Sequence, residues 1–228
     1  VYYEQEHASV RIVDTHTNIV QIEKNWQVIF EDKTTSLELK ADHSALIMKQ
    51  IWDFSQTVDI DDVKEILDRQ ITCNMAIANE GIHNSYGANI GHVILNMDLD
   101  CVKTKAKAYA AAGSDARMNG CELPVVINSG SGNQGITCCV PVVVYAKELD
   151  CTQEQLYRAL VLSNLTAIYI KTGIGTLSAF CGAVSAGAAA GAGIAYLHNG
   201  TYKEIQHTIV NALAILSGTI CDGAKASC

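Results

Sequence analysis

No Lys/Arg-rich run occurs anywhere in the 228 residues, and acidic residues outnumber basic ones, 24 to 16, for a net charge of -8. Nucleic acid and anionic membrane surfaces are therefore not expected as partners, because both select clustered positive charge. Proline is scarce at 2 residues, and the 17 glycines form no repeat. That composition excludes a fibrous chain and gives no sign of disorder. There is no Cys-x-x-Cys pair among nine cysteines, which argues against a zinc knuckle or a thioredoxin-type site. The opening "VYYEQEHASVRIVD" lacks the charged-then-apolar pattern of a secretion signal. With an odd cysteine count and no such signal, a disulfide framework is not expected.

What is present is a chain 49% hydrophobic, long enough for one large domain with a sizeable core. Residues 8 to 30 alternate between apolar and polar and are rich in β-branched side chains, with a turn at Lys24-Asn25. They read as antiparallel strands. A linker to about residue 43 leads to a first helix, and Val63, Ile66, Leu67 and Ile71 then recur at helical spacing up to a stop at Gly81. An Ala/Lys-rich helix is expected to end at Gly113, and "GITCCVPVVVYAKELD" reads as a buried apolar run. Thr152 to Gln155 carries a capping pattern, and two further helices follow. The fold class is α+β: a short antiparallel β segment over residues 1-40, the end of an upstream domain, followed by a mainly helical unit over residues 41-228. Both chain ends read as cut, so a fragment of a longer protein is expected.

The stretch "FCGAVSAGAAAGAGIAYL" poses a choice between a membrane span over residues 177-197 and a buried helix. Alanine and glycine contribute little to insertion, and Lys171 and His198 give no clear orientation signal. Glycine in an exposed helix costs about 1 kcal/mol against alanine, so this many glycines imply a helix packed on all sides. The buried helix is the preferred reading and the span its alternative.

Three stretches could carry chemistry. In "NSGSGNQG", residues 128 to 135, glycines permit positive φ, and successive N–H groups can cradle an anion at a helix start. Ser129, Ser131, Asn133 and Gln134 add polar side chains there. The loop matches neither the phosphate-binding nor the dinucleotide fingerprint, so a plain glycine-rich turn stays open. The second stretch is Cys181 with its small-residue helix, and the third is "CDGAKASC", which carries Cys221 and Cys228. Such long, irregular spacing is compatible with iron–sulfur ligands gathered by the fold. The bland reading of Cys73, Cys101, Cys121, Cys138, Cys139 and Cys151 is a small buried hydrophobe. His7, His43, His83, His92, His198 and His207 show no metal spacing.

"HTNIV", "SDARMNG", "NSGSGNQGI", "LSNLTAIYIK", "AFCGAVSAGAAAGAG" and "GTICDGAKASC" together resemble the L-cysteine desulfidase family, a relative of the α part of iron–sulfur-dependent L-serine dehydratase. The resemblance implies a cytoplasmic lyase with a 4Fe-4S cluster and no pyridoxal phosphate. Its substrate would be a small amino acid, L-cysteine or L-serine, and its oligomer a homodimer. It implies Cys181, Cys221 and Cys228 as metal ligands, with an upstream cysteine of a Gly-Cys-Thr-Glu-Pro motif, which this sequence lacks, as the alternative third. It assigns the Ser129–Gln134 loop to the substrate carboxylate. The Arg117 guanidinium suits pairing with a carboxylate as well, with a surface ion pair as the alternative. His16 in "DTHTN" suits the α-proton base, while Asp222 and Lys225 would orient ligands or substrate. Two readings from other classes remain: a membrane component, and a cluster-free small-molecule binding module.

Overall fold

The computed structural model describes residues 2–13, 18–32, 42–175 and 178–219. Four strands, β1 (Tyr2–Tyr3), β2 (Glu6–Ile12), β3 (Ile19–Lys24) and β4 (Gln27–Glu31), form an antiparallel meander in the order β1-β2-β3-β4. Alternation sorts the two faces, with register shifts at Arg11/Ile12 and Ile22/Glu23. Val10, Ile22 and Phe30 lie in one cross-strand row, whereas Ser9 donates to Glu23 on the other face. His7 stacks on Trp26 with ring centroids 4.3 Å apart, and the Lys24-Asn25 turn continues through Trp26, both Asn25 and Trp26 having positive φ. Among the described elements no strand packs against a helix. The expected α+β arrangement, a short sheet followed by helices, is the one observed.

Among the described residues eight helices follow: α1 (Met48–Thr57), α2 (Ile60–His83), α3 (Ile90–Leu95), α4 (Val102–Met118), α5 (Gly132–Glu148), α6 (Gln153–Ile174), α7 (Gly182–Leu197) and α8 (Tyr202–Leu216). Side-chain caps start α2, α5, α6 and α8. The Asp59 side chain accepts from the Asp61 N–H ahead of α2, and Thr152 and Gln155 close a full capping box on α6. Helix α5 is the hub, touching α2, α4, α6 and α7. Its residues Ile136, Cys138, Cys139, Val140 and Val142 are fully buried. This explains why its sequence shows no polar stripe. The apolar run around Pro141 is thus helical, with the proline inside it.

Two glycines read as helix ends lie instead inside helices. Gly81 belongs to α2 and Gly113 to α4, both buried where these helices cross. A Cβ on Gly81 would sit 2.2 Å from the Ala112 carbonyl oxygen, so the backbones touch. Close approach, not termination, is the role of these glycines. Helix α7 follows the same logic. It lies among α5, α6 and α8 and buries Ala186, Ala188, Ala189, Ala190, Ala192 and Gly193. At 16 residues it extends only about 24 Å, short of the ~30 Å hydrocarbon thickness. No described helix is long and apolar enough to cross a membrane, and the alternative of a span over residues 177-197 is thereby overturned.

Substituting Gly81→Ala is expected to lower stability by about 3 kcal/mol, because a backbone carbonyl has to move. Gly187→Ala, whose added Cβ comes no nearer than 4.0 Å to Thr137, is expected to raise stability by about 0.5–1 kcal/mol. Urea unfolding midpoints of the two variants test the contrast.

Candidate functional site

The Ser/Asn/Gly segment is a tight turn feeding a helix start. The Asn128 N–H donates to the Ser131 carbonyl at 3.1 Å, and the Ser131 N–H returns to the Asn128 carbonyl at 3.0 Å. The two residues between them, Ser129 and Gly130, have φ of 48° and 83°. Two left-handed residues in a row close a two-residue turn. Ser131 is the N-cap of α5, its hydroxyl accepting from the Gln134 N–H. Gly135 lets the first turn of α5 press on the 126–127 backbone, since a Cβ there would lie 2.0 Å from the Val126 carbonyl oxygen. Asn128, Ser131, Asn133 and Gln134 are all buried.

Beneath this turn lies a polar network. Asn164 of α6 accepts from Asn128 Nδ2 at 3.0 Å and exchanges two hydrogen bonds with Gln70 of α2, at 2.9 and 2.8 Å. Asn74, one turn after Gln70, holds the Val126 backbone through both its amide atoms, at 3.1 and 2.8 Å. The Cys138 thiol donates toward the Gly135 carbonyl and Asn164 Oδ1. Burial pushes the Cys138 thiol up to about 12 and that of Cys139 well above its ordinary value. Both are therefore inert core thiols, in line with their reading as small hydrophobes. The other described cysteines are half-buried and free of disulfides.

Two neighbouring elements complete the site. Arg117, in the last turn of α4, donates to Asn133 Oδ1 at 3.2 Å, and its Nε lies where a Cβ on Gly132 would be, 2.2 Å away. On the other side stands α7, with half-buried Cys181 as its N-cap. Next to the cysteine, Gly182 faces the Gln134 amide, whose Nε2 would be 2.5 Å from an added Cβ. The first turns of α5 and α7 thus touch, and their N-termini bring partial positive charge to one place. Burial holds the Lys171 ammonium of α6 below the usual lysine value, while the nearby Cys181 sulfur acts in the opposite direction. Helix termini, Arg117 and Lys171 together suit an anion with a carboxylate.

Of the residues singled out from sequence, Ser129, Ser131, Asn133, Gln134, Arg117 and Cys181 come together. His16, Cys221, Asp222, Lys225 and Cys228 lie outside the described residues. Among the described residues no three His, Cys, Asp or Glu side chains form a metal-holding group. Cys181 fits one ligand position of a cluster: it is partly accessible and caps a helix at its positive end. Two clefts lie elsewhere. One of about 560 Å³ involves Lys105, Tyr109 and Lys147, another of about 250 Å³ involves Trp52 and Tyr196, and neither includes a site residue. Gln70, Asn74, Asn164 and Lys171 carry no role in the sequence reading. A signal existed for the first two, which interrupt the buried stripe Leu67, Gln70, Asn74, Ile77, Gly81 at core positions.

These features define an α+β protein built around an anion-suited pair of helix starts. The profile of the serine dehydratase alpha chain family matches residues 4–228, and the chain belongs to that family. It is similar to a UPF0597 protein of Desulfitobacterium hafniense, 56% identical over 230 residues, covering 100% of this chain and 54% of the relative. A UPF0597 protein of Lachnoclostridium phytofermentans is 54% identical over 220 residues, covering 96% of this chain and 53% of the relative. One of Treponema denticola is 50% identical over 226 residues, with 95% and 52% covered. The chain spans about half the length of these relatives. No solved structure matches it.

Asn164→Leu is expected to cost about 3 kcal/mol in urea unfolding, because it strands the buried amides of Gln70 and Asn128. A second expectation concerns alkaline pH. The Cys138 thiol stays protonated to about 12 when folded but ionises from 9.0 when unfolded, so the folded state holds the extra proton between these values. Stability contributed this way is complete below pH 9.0 and is lost as pH rises toward about 12. The slope attributable to this thiol is about 1 kcal/mol per pH unit. Cys138→Ser should flatten the fall in stability measured from pH 9.0 upward.

Proposed function

We propose that the protein containing this chain is an iron–sulfur-dependent lyase that performs α,β-elimination on a small amino acid. L-Serine would give pyruvate and ammonia; L-cysteine would give sulfide as well. The observation that supports this most is the contact between the first turns of α5 and α7, with Cys181 beside the Ser/Asn turn. Membership of the serine dehydratase alpha chain family supports the same class of reaction.

In this reading Ser129, Ser131 and Asn133 hold the substrate carboxylate, and Arg117 supplies the fixed positive charge. Cys181, Cys221 and Cys228 are the proposed thiolate ligands. A 4Fe-4S cluster held by three thiolates would supply an open iron, a Lewis acid for the β-hydroxyl or β-thiol. His16 is the proposed base that takes the α-proton, with Asp222 and Lys225 orienting the reacting groups. The electron pair of the broken Cα–H bond becomes the Cα–Cβ double bond as the β-substituent departs. The resulting enamine tautomerises, and water releases ammonia and pyruvate. A cytoplasmic setting keeps the required thiolates reduced.

Anaerobic addition of ferrous iron and sulfide to the full-length protein is expected to produce broad visible thiolate-to-iron absorption and pyruvate release from L-serine or L-cysteine. Cys181→Ser should lose both. A protein that binds an amino acid yet stays colourless and forms no pyruvate would be a binding module, and the lyase assignment would fall.

A further inference from the structure

Asn133 and Gln134 follow one another in the first turn of α5, so their side chains project about 100° apart. Asn133 meets Arg117 of α4. Gln134 instead meets α7, with Nε2, Cδ and Oε1 at 2.5, 2.6 and 3.0 Å from where a Cβ on Gly182 would stand. Gln134 is only 4% exposed. The residue it packs on directly follows Cys181, and Gly182 is the one residue type that leaves the amide room.

We infer that Gln134 is a positioning residue for Cys181 and not a contact for the substrate carboxylate: its amide pins the first turn of α7, and so the cysteine, against the start of α5. The inference rests on the cluster reading in one respect only, that Cys181 is a ligand. Supporting residues of this kind set ligand orientation, and losing one typically weakens metal binding by about 10–100-fold.

The test uses the full-length protein with Gln134→Met, which keeps length and loses the amide, and Gly182→Ala, which displaces the amide while leaving it in the sequence. After anaerobic reconstitution, Gln134→Met is expected to lose iron to a chelator at least about tenfold faster than wild type. The KM for L-serine or L-cysteine should move less than about threefold. Gly182→Ala should reproduce the faster loss, and the double variant should add little, because both changes break one contact. In cluster-free protein, amide hydrogen exchange over residues 182–188 should quicken about fivefold in Gln134→Met while the rest of the chain is unchanged. A raised KM with unchanged iron retention would return Gln134 to the carboxylate and overturn the inference, as would additive effects or unchanged exchange. If wild type takes up no iron, the lyase reading fails, and the exchange measurement still decides the positioning role. Should Gln134→Met not fold, Gln134→Glu keeps the shape, places an anion beside Cys181, and should speed iron loss in the same way.

Discussion

The first turns of two helices touch because residue 182 has no side chain, and most of the site depends on that contact. Any larger residue beside Cys181 would drive the Gln134 amide out of its place between α5 and α7. Helix starts repel one another electrostatically, since each carries partial positive charge. Bringing two of them together, with Arg117 and Lys171 alongside, stores a positive potential that an anion can relieve. The architecture therefore makes sense for a protein whose ligand is negatively charged.

Small residues solve the same problem elsewhere in the helical unit. Gly81 allows α2 to rest on the Ala112 carbonyl, and Gly193 allows α7 to approach Ala159 and Val142. Close backbone approach leaves little apolar area per residue to bury. The unit compensates by surrounding α5 on four sides and by tying the Ser131 turn down with polar contacts. Asn164 is the centre of those contacts, linking α2, α6 and the turn through amides that are buried or half-buried. Such a network is rigid only when every member is satisfied. This is why the turn can hold two consecutive left-handed residues without unravelling.

Legibility in the sequence followed the strength of local signals. The capping box at Thr152 and Gln155 and the alternation in residues 8 to 30 both name a structure from a few adjacent residues, and both are present. Gly81 and Gly113 misled because glycine serves equally to end a helix and to let another helix approach; only the neighbour decides. The Ser129–Gln134 segment was legible as a glycine-rich turn leading into a helix start. Its division of labour was not, because Asn133 and Gln134 look alike in sequence and differ only in which helix each one faces. Lys171 and Asn164 were invisible for the same reason.

The chain's own order of residues determined that strands come first and helices after, where α6 begins, and that one glycine-rich turn precedes a helix start. It did so because hydrophobic period, capping and turn chemistry act over a few residues. Tertiary structure alone decided that Arg117 of α4 and the start of α7, with Cys181, meet the start of α5. Those meetings span 15 to 47 residues of chain, from Arg117 to Gly132 and from Gln134 to Cys181. No local rule reaches that far; only the packing of whole helices around α5 does.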